Sequence, residues 1–560
     1  MKGKIALKNS KQNILLVGLF LGMFFAALDQ TIVGTAMPRI IADLGGLSIM
    51  VWVTTTYMLT STTVVPIAGK MADIFGRRVI YVGGLLVFLI GSALCGTSTN
   101  MTELIIYRGI QGIGGGIIMP MAMTIIGDIF PPHKRGKWQG VIGAVFGLSS
   151  IVGPTIGGWF VDHATWRWVF YINLPVGVLA AVTIFIGLSQ ETRRKEKVSI
   201  DYAGVVTLTV SVVSLLLGLS LGGKDYPWNS WEIIGLFITS AVFGILFVFI
   251  EKKAQEPILS LHLFENRVFV GANVVGFLMG LGMFGAIVFL PLFMQGVLGV
   301  SATQSGNTMI PMMVAMMVTS IFGGRLLARI RFRTQLALGM MAMTIGFYLL
   351  STMTVDTTKT MATLFIVVLG LGMGLVMPTI TIAVQSAFPP EQRGVATSAT
   401  QFFRSIGSTL GVTILGVVMN NRSIDLLQKN FFPVVEKIPA FKTGALGSMM
   451  EKAHTDPQGL FNALLRPETL KMLPPQLQQI IVSPLKIALA DSLHLVFLVG
   501  MGIVSLGIFA GLLLGNAKMS KHPHKLTPQE AGMELLAEGV NGEITVPAEV
   551  EPDIIEDTDK

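Results

Sequence analysis

The sequence predicts an all-α membrane protein with many spanning helices, arranged as two six-helix bundles with two further helices inserted between them. Composition indicates a membrane environment, since 52% of the 560 residues are hydrophobic and only 13% are charged. A water-soluble core cannot bury that much apolar surface. Long apolar windows predict the individual helices, and an internal repeat predicts the two bundles.

Fourteen windows contain enough apolar residues, roughly 20 each, to cross about 30 Å of hydrocarbon. They cover residues 14–37, 49–69, 79–98, 103–126, 138–160, 168–188, 203–222, 232–251, 268–293, 304–324, 334–352, 360–385, 395–419 and 492–515. The lysine-rich start of the chain is similar to that of a secretory signal. The apolar stretch after it is too long and lacks a small-residue cleavage site, so we expect a retained first helix.

Basic residues accumulate in alternate loops, which predicts the orientation of the helices. The basic set contains the N-terminal lysines, Lys70, Arg77, Arg78, Lys134, Arg135, Lys137, Arg193, Arg194, Lys195, Lys197, Lys252, Lys253, Arg329, Arg331 and Arg333. The other short loops hold only Arg39, Arg167, Lys224 and Lys359. The first set is therefore predicted to be cytoplasmic, with both termini inside. This topology explains the net charge of +8 better than nucleic-acid binding does. The single cysteine, Cys95, excludes an internal disulfide and a multi-cysteine metal site.

The chain repeats itself at a constant spacing of 258 residues. GIGGGIIMP at 112–120 matches GLGMGLVMP at 370–378, FPPHKRG at 130–136 matches FPPEQRG at 388–394, and GPTIGG at 153–158 matches GVTILG at 411–416. Parallel repeats of this kind are typical of secondary transporters. Charge breaks the repeat at two positions, because Arg108 corresponds to Ile366 and Arg404 corresponds to Phe146.

The spans and the repeat together predict five segments. They are a cytoplasmic N-terminus at 1–13, an N-terminal bundle at 14–188, a linker with two inserted helices at 189–267, a C-terminal bundle at 268–516 with a long outer loop at 420–491, and a disordered acidic cytoplasmic tail at 517–560. The outer loop has two interpretations, an external decoration or an element that handles lipid or substrate.

Asp29 is a carboxylate inside the apolar run FFAALDQTIVGTAMP, where a charge needs a partner, a proton or water. It lies fifteen residues from the inner start of the first span, or ~22 Å deep, and Arg108 lies five residues from the outer start of the fourth, or ~7.5 Å deep. In a core of about 30 Å the two depths coincide. Two interpretations remain open: a proton-coupling pair, and a static ion pair that joins two helices.

Two further motifs carry chemistry. In GKMADIFGRR (69–78), Gly69 and Gly76 allow a close approach and a tight turn, and Asp73 can cap a helix or pair with Arg77 or Arg78. In GPTIGG, Pro154 removes a backbone donor. Gly153, Gly157 and Gly158 let another helix approach. GIGGG has no preceding strand and no following Lys-Ser/Thr, so we interpret it as a packing surface and expect no nucleotide site.

These residues resemble the major facilitator superfamily and, within it, the fourteen-helix drug:proton antiporters of bacteria. The resemblance covers about 14–516. It rests on LDQTIVGTAMPRI (28–40), GKMADIFGRR, RGIQGIGGG (108–116), GPTIGG, WRWVFYINLPVG (166–177) and PLFMQGVLGVSATQSG (291–306). The resemblance implies the major facilitator fold in a bacterial cytoplasmic membrane. It implies a conformational latch at Gly69, Asp73, Gly76, Arg77 and Arg78, and a flexing antiporter motif in the fifth helix. The second copy of the loop motif, GRLLARIRFR (324–333), departs from the pattern because Ala328 replaces the aspartate.

Several polar and methionine side chains are candidates for a substrate cavity. Arg404 and Gln401 lie near mid-membrane, where the arginine could meet an anionic substrate group or a helix-end carbonyl. Methionine adapts its shape to varied ligands, although it serves equally in plain packing. The candidate cavity residues are Gln30, Gln111, Gln295, Met309, Met313, Gln401 and Arg404.

The leading functional hypothesis is a monomeric, non-enzymatic exporter of hydrophobic or amphipathic, often cationic, drugs. The proton gradient supplies its energy, Asp29 and Arg108 couple the proton, and no cofactor or metal is expected. A second hypothesis keeps the fold but exports an endogenous lipid with help from loop 420–491. A third, of another class, is a non-transporting membrane scaffold or sensor. Protons, the substrate and membrane lipids are the expected partners, and nucleic acid is not.

Overall fold

The computed structural model describes residues 2–45, 49–130, 132–187, 201–223, 226–300, 302–327, 329–389, 392–435 and 475–518. Within these ranges the chain is helical and contains no strand beyond an isolated bridge. The α-helices are α1 (Lys2–Leu44), α2 (Val51–Phe75), α3 (Arg77–Thr97), α4 (Met101–Ile129), α5 (Pro132–His163), α6 (Trp168–Tyr171), α7 (Asn173–Gly187), α8 (Tyr202–Leu221), α9 (Trp231–Glu251), α10 (Arg267–Leu292), α11 (Ala302–Leu326), α12 (Phe332–Ser351), α13 (Lys359–Ala387), α14 (Arg393–Leu426), α15 (Phe432–Val435) and α16 (Pro475–Ala510).

Twelve helices in the described ranges are long and apolar enough to cross a membrane. Helices α2 and α5 are not among them, although they are 25 and 32 residues long. α2 is rich in threonine. In α5, Gly140–Ser149 is an apolar stretch among the residues whose side chains the structure describes. The fold class is confirmed, and the count of fourteen spans stays a prediction.

The described helices pack as two groups with the same internal pattern. In the first group α1 packs on α5 and α7, and α4 packs on α2 and α3. In the second group α10 packs on α14 and α16, and α13 packs on α11 and α12. The pairs correspond under the repeat. Close approach depends on missing side chains, since Gly114 lies against the backbone of Phe88, and Gly372 lies against that of Gly339.

Two seams join the groups, one between α2 and α14 and one between α5 and α11. At the first seam Gly69 of α2 lies against Ser398 of α14. At the second, α5 presents Gly143 and Gly147, and the side chains of Met316 and Met313 fill the space above them.

The two groups meet toward the side predicted to be cytoplasmic. There the side-chain amide of Gln385 in α13 donates to the carbonyl oxygen of Met123 in α4 at 3.2 Å. On the outer half of α1, in contrast, Gln30, Gly34 and Thr35 are exposed. The arrangement therefore closes the predicted cytoplasmic side.

The inserted helices α8 and α9 pack against each other, and α8 also contacts α2 and α14. A salt bridge of 2.7 Å between Lys70 of α2 and Glu256, which follows α9, ties the insert to the first bundle. The insert thus lies across the α2–α14 seam. Helix α8 starts with an Asp201 cap on the N–H of Gly204, and α9 with a Ser230 cap on that of Ile233.

The prediction of an outer loop over 420–491 is wrong at both ends. Helix α14 continues to Leu426, a π-helical turn covers Leu427–Phe431, and α16 already begins at Pro475. Arg422 and Lys429 pair with Asp425 one turn away, which supports helix beyond the apolar window. Residues 436–474 and the tail from 519 lie outside the described residues, so the two interpretations of the loop and the expected disorder of the tail stay predictions.

Candidate functional site

Asp29 lies fully buried where α1, α4 and α7 meet. Its Oδ2 accepts from the Arg108 guanidinium at 2.5 Å. Its Oδ1 accepts from the side-chain amides of Gln111 at 2.8 Å and Asn173 at 3.1 Å. All four side chains are at most 2% exposed. The two charges that the sequence placed at one depth are therefore in direct contact.

Further contacts hold the partners of Asp29 in place. Arg108 donates to the Gln111 oxygen at 2.7 Å, and its guanidinium lies 4.3 Å from the centre of the Tyr57 ring. Asn173 also donates to the Ser92 hydroxyl at 3.0 Å. Gln111 was predicted to line the substrate cavity, and the structure places it on the carboxylate instead.

The charge balance of this site depends on Asp29. An ionised Asp29 compensates the charge of Arg108, which is buried away from water. A protonated Asp29 leaves that guanidinium without a counter-charge, and an uncompensated buried charge destabilises its surroundings by several kcal/mol.

The glycines of the helix 5 motif pack on α1, the helix that carries Asp29. Gly153 lies against Thr31, and Gly157 lies against Ile32 and Thr35. The hydroxyl of Thr31 donates to the Ser149 carbonyl of α5 at 3.1 Å. Gly158 has no neighbouring atom where a Cβ would stand. The side chain of Pro154 lies outside the described part. Two of the three predicted glycines thus mediate a helix contact.

Asp73 joins the two bundles at the α2–α14 seam. Its carboxylate pairs with Arg77, one turn away, and accepts from the backbone N–H of Val395 at 2.8 Å. Val395 is in the first turn of α14, so a side chain of one bundle caps a helix of the other. Gly394 permits this contact, because a Cβ there would meet the Asp73 carboxylate. Burial raises the pKa of Asp73 to about 6, although Arg77 and the Val395 N–H favour the carboxylate.

The other latch residues divide between this cluster and the surface. Gly69 lies at the seam, and Gly76 has a φ of 91°, a left-handed conformation that favours glycine, at the turn between α2 and α3. Arg78 lies elsewhere, with its guanidinium 3.7 Å from the centre of the Phe185 ring. The structure therefore brings three of the five predicted latch residues, Gly69, Asp73 and Arg77, to the seam.

Asp128, at the end of α4, extends the Asp73 cluster and was missed by the sequence analysis. It pairs with Arg77 of the same bundle at 3.3 Å and with Arg393 of the other bundle at 3.8 Å. Burial and the nearby Arg393 lower the pKa of Arg135 to about 10, while Asp128 opposes the shift. One carboxylate thus lies among three arginines. Its position two residues before FPPHKRG, a repeated basic motif, was the available signal.

The remaining candidate cavity residues do not form one site. Gln30 is exposed beside Tyr57, and Met313 packs at the α5–α11 seam. Met309 and Gln295 are partly buried on α11 and in the π-helical turn after α10. Gln401 and Arg404 line a pocket between α10, α13 and α14. Met123 of α4 also lines this pocket. Asn173, Ser92 and Gln385 were not foreseen, because a single polar residue in an apolar helix gives little signal.

Comparison with known proteins decides the family. The Major Facilitator Superfamily profile matches residues 19–412. The chain belongs to the major facilitator superfamily. It is 53% identical over 513 residues to the multidrug transporter protein MdtP of Bacillus subtilis, covering 92% of this chain and 95% of that protein. It is 41% identical over 512 residues to multidrug resistance protein 3 of the same organism, covering 91% and 97%.

Solved structures agree on the fold of this superfamily member. The human organic anion transporter MFSD10 superposes with a TM-score of 0.54 at 14% identity, over 88% of this chain and 99% of that one. The proton:xylose symporter XylE superposes with a TM-score of 0.53 at 14% identity, over 75% and 91%. This major facilitator protein is a multi-pass membrane transporter and not an enzyme.

Proposed function

We propose that the protein exports hydrophobic or amphipathic small molecules from the cytoplasm by alternating access, driven by protons that enter from outside. The buried ion pair of Asp29 and Arg108 carries this proposal. Two multidrug proteins of Bacillus subtilis are relatives over nearly the whole chain, which supports drug-like substrates. Both termini lie in the cytoplasm of a bacterial cell, in keeping with the positive charge of the alternate loops.

The coupling step is the protonation of Asp29. The proton removes the counter-charge of Arg108 and weakens the packing of α1 against α4 and α7. A ligand shifts a conformational equilibrium only by its differential affinity for the two states, and here the proton supplies that difference. The other state is one in which Arg108 regains water or another partner.

A route of direct contacts leads from the coupling site to the bundle interface. Thr31, two residues after Asp29, lies against Gly153 of α5. Further along α5, Gly147 and Gly143 lie against methionines of α11 in the other bundle. A shift of α1 therefore reaches the α5–α11 seam through packed backbone. On the cytoplasmic side, the cluster of Asp73, Arg77 and Asp128 holds the closed arrangement until this shift occurs.

The test is transport by purified protein in liposomes under an imposed inward proton gradient. Two fluorescent probes are followed, the cation ethidium and the anion 1-anilinonaphthalene-8-sulfonate. Asp29→Asn retains oxygen and nitrogen atoms for hydrogen bonds but cannot ionise. We expect gradient-driven movement of at least one probe with the wild type, and a fall to the level of protein-free vesicles with Asp29→Asn.

The matched control is Asp425→Asn, which removes an exposed carboxylate from the outer end of α14. It should transport as the wild type does. Elution of each variant as a single species from a sizing column shows that it is folded. Full gradient-driven transport by Asp29→Asn contradicts the coupling role, and movement of neither probe by the wild type contradicts drug export.

A further inference from the structure

We infer that Arg404 forms a subsite for the acidic group of an amphipathic substrate, so that the preferred cargo is an organic anion with a hydrophobic body. This inference rests on the proposed export function and specifies its substrate class. It differs from the sequence-based expectation of cationic drugs.

Arg404 lies eleven residues from the start of α14, or ~16 Å along the helix. Its guanidinium donates to the side-chain oxygen of Gln401, one turn before it, at 2.6 Å. Both side chains line a pocket between α10, α13 and α14. The charge therefore points into the protein interior near mid-membrane, where an unpaired charge is unfavourable.

No carboxylate in the described part of the chain pairs with Arg404, whose side chain is partly buried and bonded to the neutral amide of Gln401. Arg108, which is buried in the first bundle, pairs with Asp29. The fold itself does not require the charge, since the corresponding position of the first bundle is Phe146. A charge in the membrane interior is unfavourable without a counter-charge, so the missing counter-charge points to a ligand.

A polar group that lacks a hydrogen-bond partner faces the same pocket. Thr397 lies seven residues before Arg404, two turns along α14 and thus on the same face. It is 4% exposed, and its hydroxyl has no hydrogen-bond partner. A hydroxyl and a guanidinium on one helix face are suitable donors to the oxygen atoms of a carboxylate, sulfonate or phosphate.

The rest of the pocket is apolar and adaptable. Met279 and Met377 line it from the second bundle, Met123 from the first, and Ile380 and Val384 complete the apolar wall. Unbranched thioethers accommodate hydrophobic bodies of different shape. The combination of such walls with one fixed cation matches an amphipathic anion. It disfavours a cation, which would add a second positive charge beside Arg404.

The pocket is closed to a drug-sized molecule in the present arrangement. Its volume of about 20 Å³ holds a water molecule. Because Met123 forms part of its wall and Gln385 bonds to the Met123 carbonyl beside it, separation of the two bundles enlarges the pocket. Substrate access is therefore tied to the opening of the bundle interface.

The test is equilibrium binding to purified protein in a neutral detergent at pH 7.5, with no proton gradient. The probes share one dansyl-undecyl body that carries a carboxylate, a methyl ester or a trimethylammonium group. We expect the wild type to bind the carboxylate at least tenfold more tightly than the ammonium compound. Arg404→Gln should weaken carboxylate binding at least tenfold and leave ester binding unchanged, and Arg404→Lys should retain part of the preference.

Arg422→Gln is the matched control, because it removes an exposed arginine from the outer end of the same helix. It should bind as the wild type does. Equal binding of carboxylate and ammonium probes by the wild type overturns the inference even if no Arg404 variant folds. An unchanged carboxylate affinity in a folded Arg404→Gln protein, shown by its ester binding, also overturns it.

Two sources could supply the anion, an amphipathic acid or the phosphate of an anionic lipid. Competition with phosphatidylglycerol distinguishes them: displacement of the carboxylate probe assigns the site to lipid phosphate, and no displacement assigns it to soluble acids. Charge-selective binding without gradient-driven transport leaves the site intact and refutes the export function. Gradient-driven transport without a charge preference in binding supports the export function and overturns the Arg404 subsite.

Discussion

Replacing Asp128 by asparagine should open the predicted cytoplasmic side of the transporter. Asp128 lies within salt-bridge distance of Arg77 and Arg393, and it offsets the repulsion between Arg393 and Arg135. Arg393 belongs to the second bundle, whereas Arg77 and Arg135 belong to the first. The substitution therefore removes one of the negative charges that balance three arginines at the interface.

The size of the effect follows from the contact that crosses the interface. Unit charges at the 3.8 Å that separate Arg393 and Asp128 attract by about 4 kcal/mol at an effective dielectric constant of 20. The two side chains are 21% and 27% exposed, and solvent screening reduces this figure to about 1–2 kcal/mol. The ratio of open to closed cytoplasmic states should thus rise roughly 5- to 30-fold.

The assay is a distance measurement between two spin labels by pulsed electron paramagnetic resonance. Cysteines replace Val79 at the start of α3 and Arg329 after α11, both exposed and on different bundles, in a Cys95→Ala background. The wild type should give mainly one short distance. Asp128→Asn should shift population to a longer distance, and Asp425→Asn should not.

The reasoning fails if Asp128→Asn leaves the distance distribution unchanged at low ionic strength. Salt screens partly exposed ion pairs, so added salt should weaken the wild-type preference for the closed state. If added salt leaves that preference unchanged, the reasoning also fails.

Two further predictions concern the Asp73 contact and the helix packing. The pKa of Asp73 is about 6 in the closed arrangement, above its usual range, so that arrangement binds the proton more tightly. The closed arrangement should therefore gain population as pH falls from 7 to 5. The same pair of spin labels measures this change, and Asp73→Asn should abolish the pH dependence. Gly114→Leu forces a side chain into the backbone of Phe88 and should lower the melting temperature or prevent folding, whereas Gly83→Leu, where a Cβ meets no atom, should not.

The membrane character, the two bundles and the residues of the ion pair could be predicted because each depends on a one-dimensional signal. Apolar runs give helices, a spacing of 258 residues gives the repeat, and a carboxylate inside an apolar run is conspicuous. The depth argument for Asp29 and Arg108 succeeded because helix geometry converts residue number directly into height.

What could not be predicted depends on which way a helix faces. Gln111 and Gln401 are both glutamines one turn from an arginine, yet Gln111 lies on Asp29 and Gln401 lines the pocket. Asn173 reaches Asp29 across 144 residues of sequence. Hydropathy also fails at helix ends outside the membrane, where ion pairs such as Asp425 with Lys429 support the helix in place of apolar burial.

The α5–α11 seam gives the transporter a chemical weakness. Its surfaces are bare glycine backbone on one side and the thioethers of Met313 and Met316 on the other. Oxidation of a thioether to the sulfoxide adds a polar, chiral oxygen to a side chain that had adapted to a smooth surface. We therefore expect oxidation of Met313 or Met316 to force α5 and α11 apart, and reduction of the sulfoxide to restore their contact.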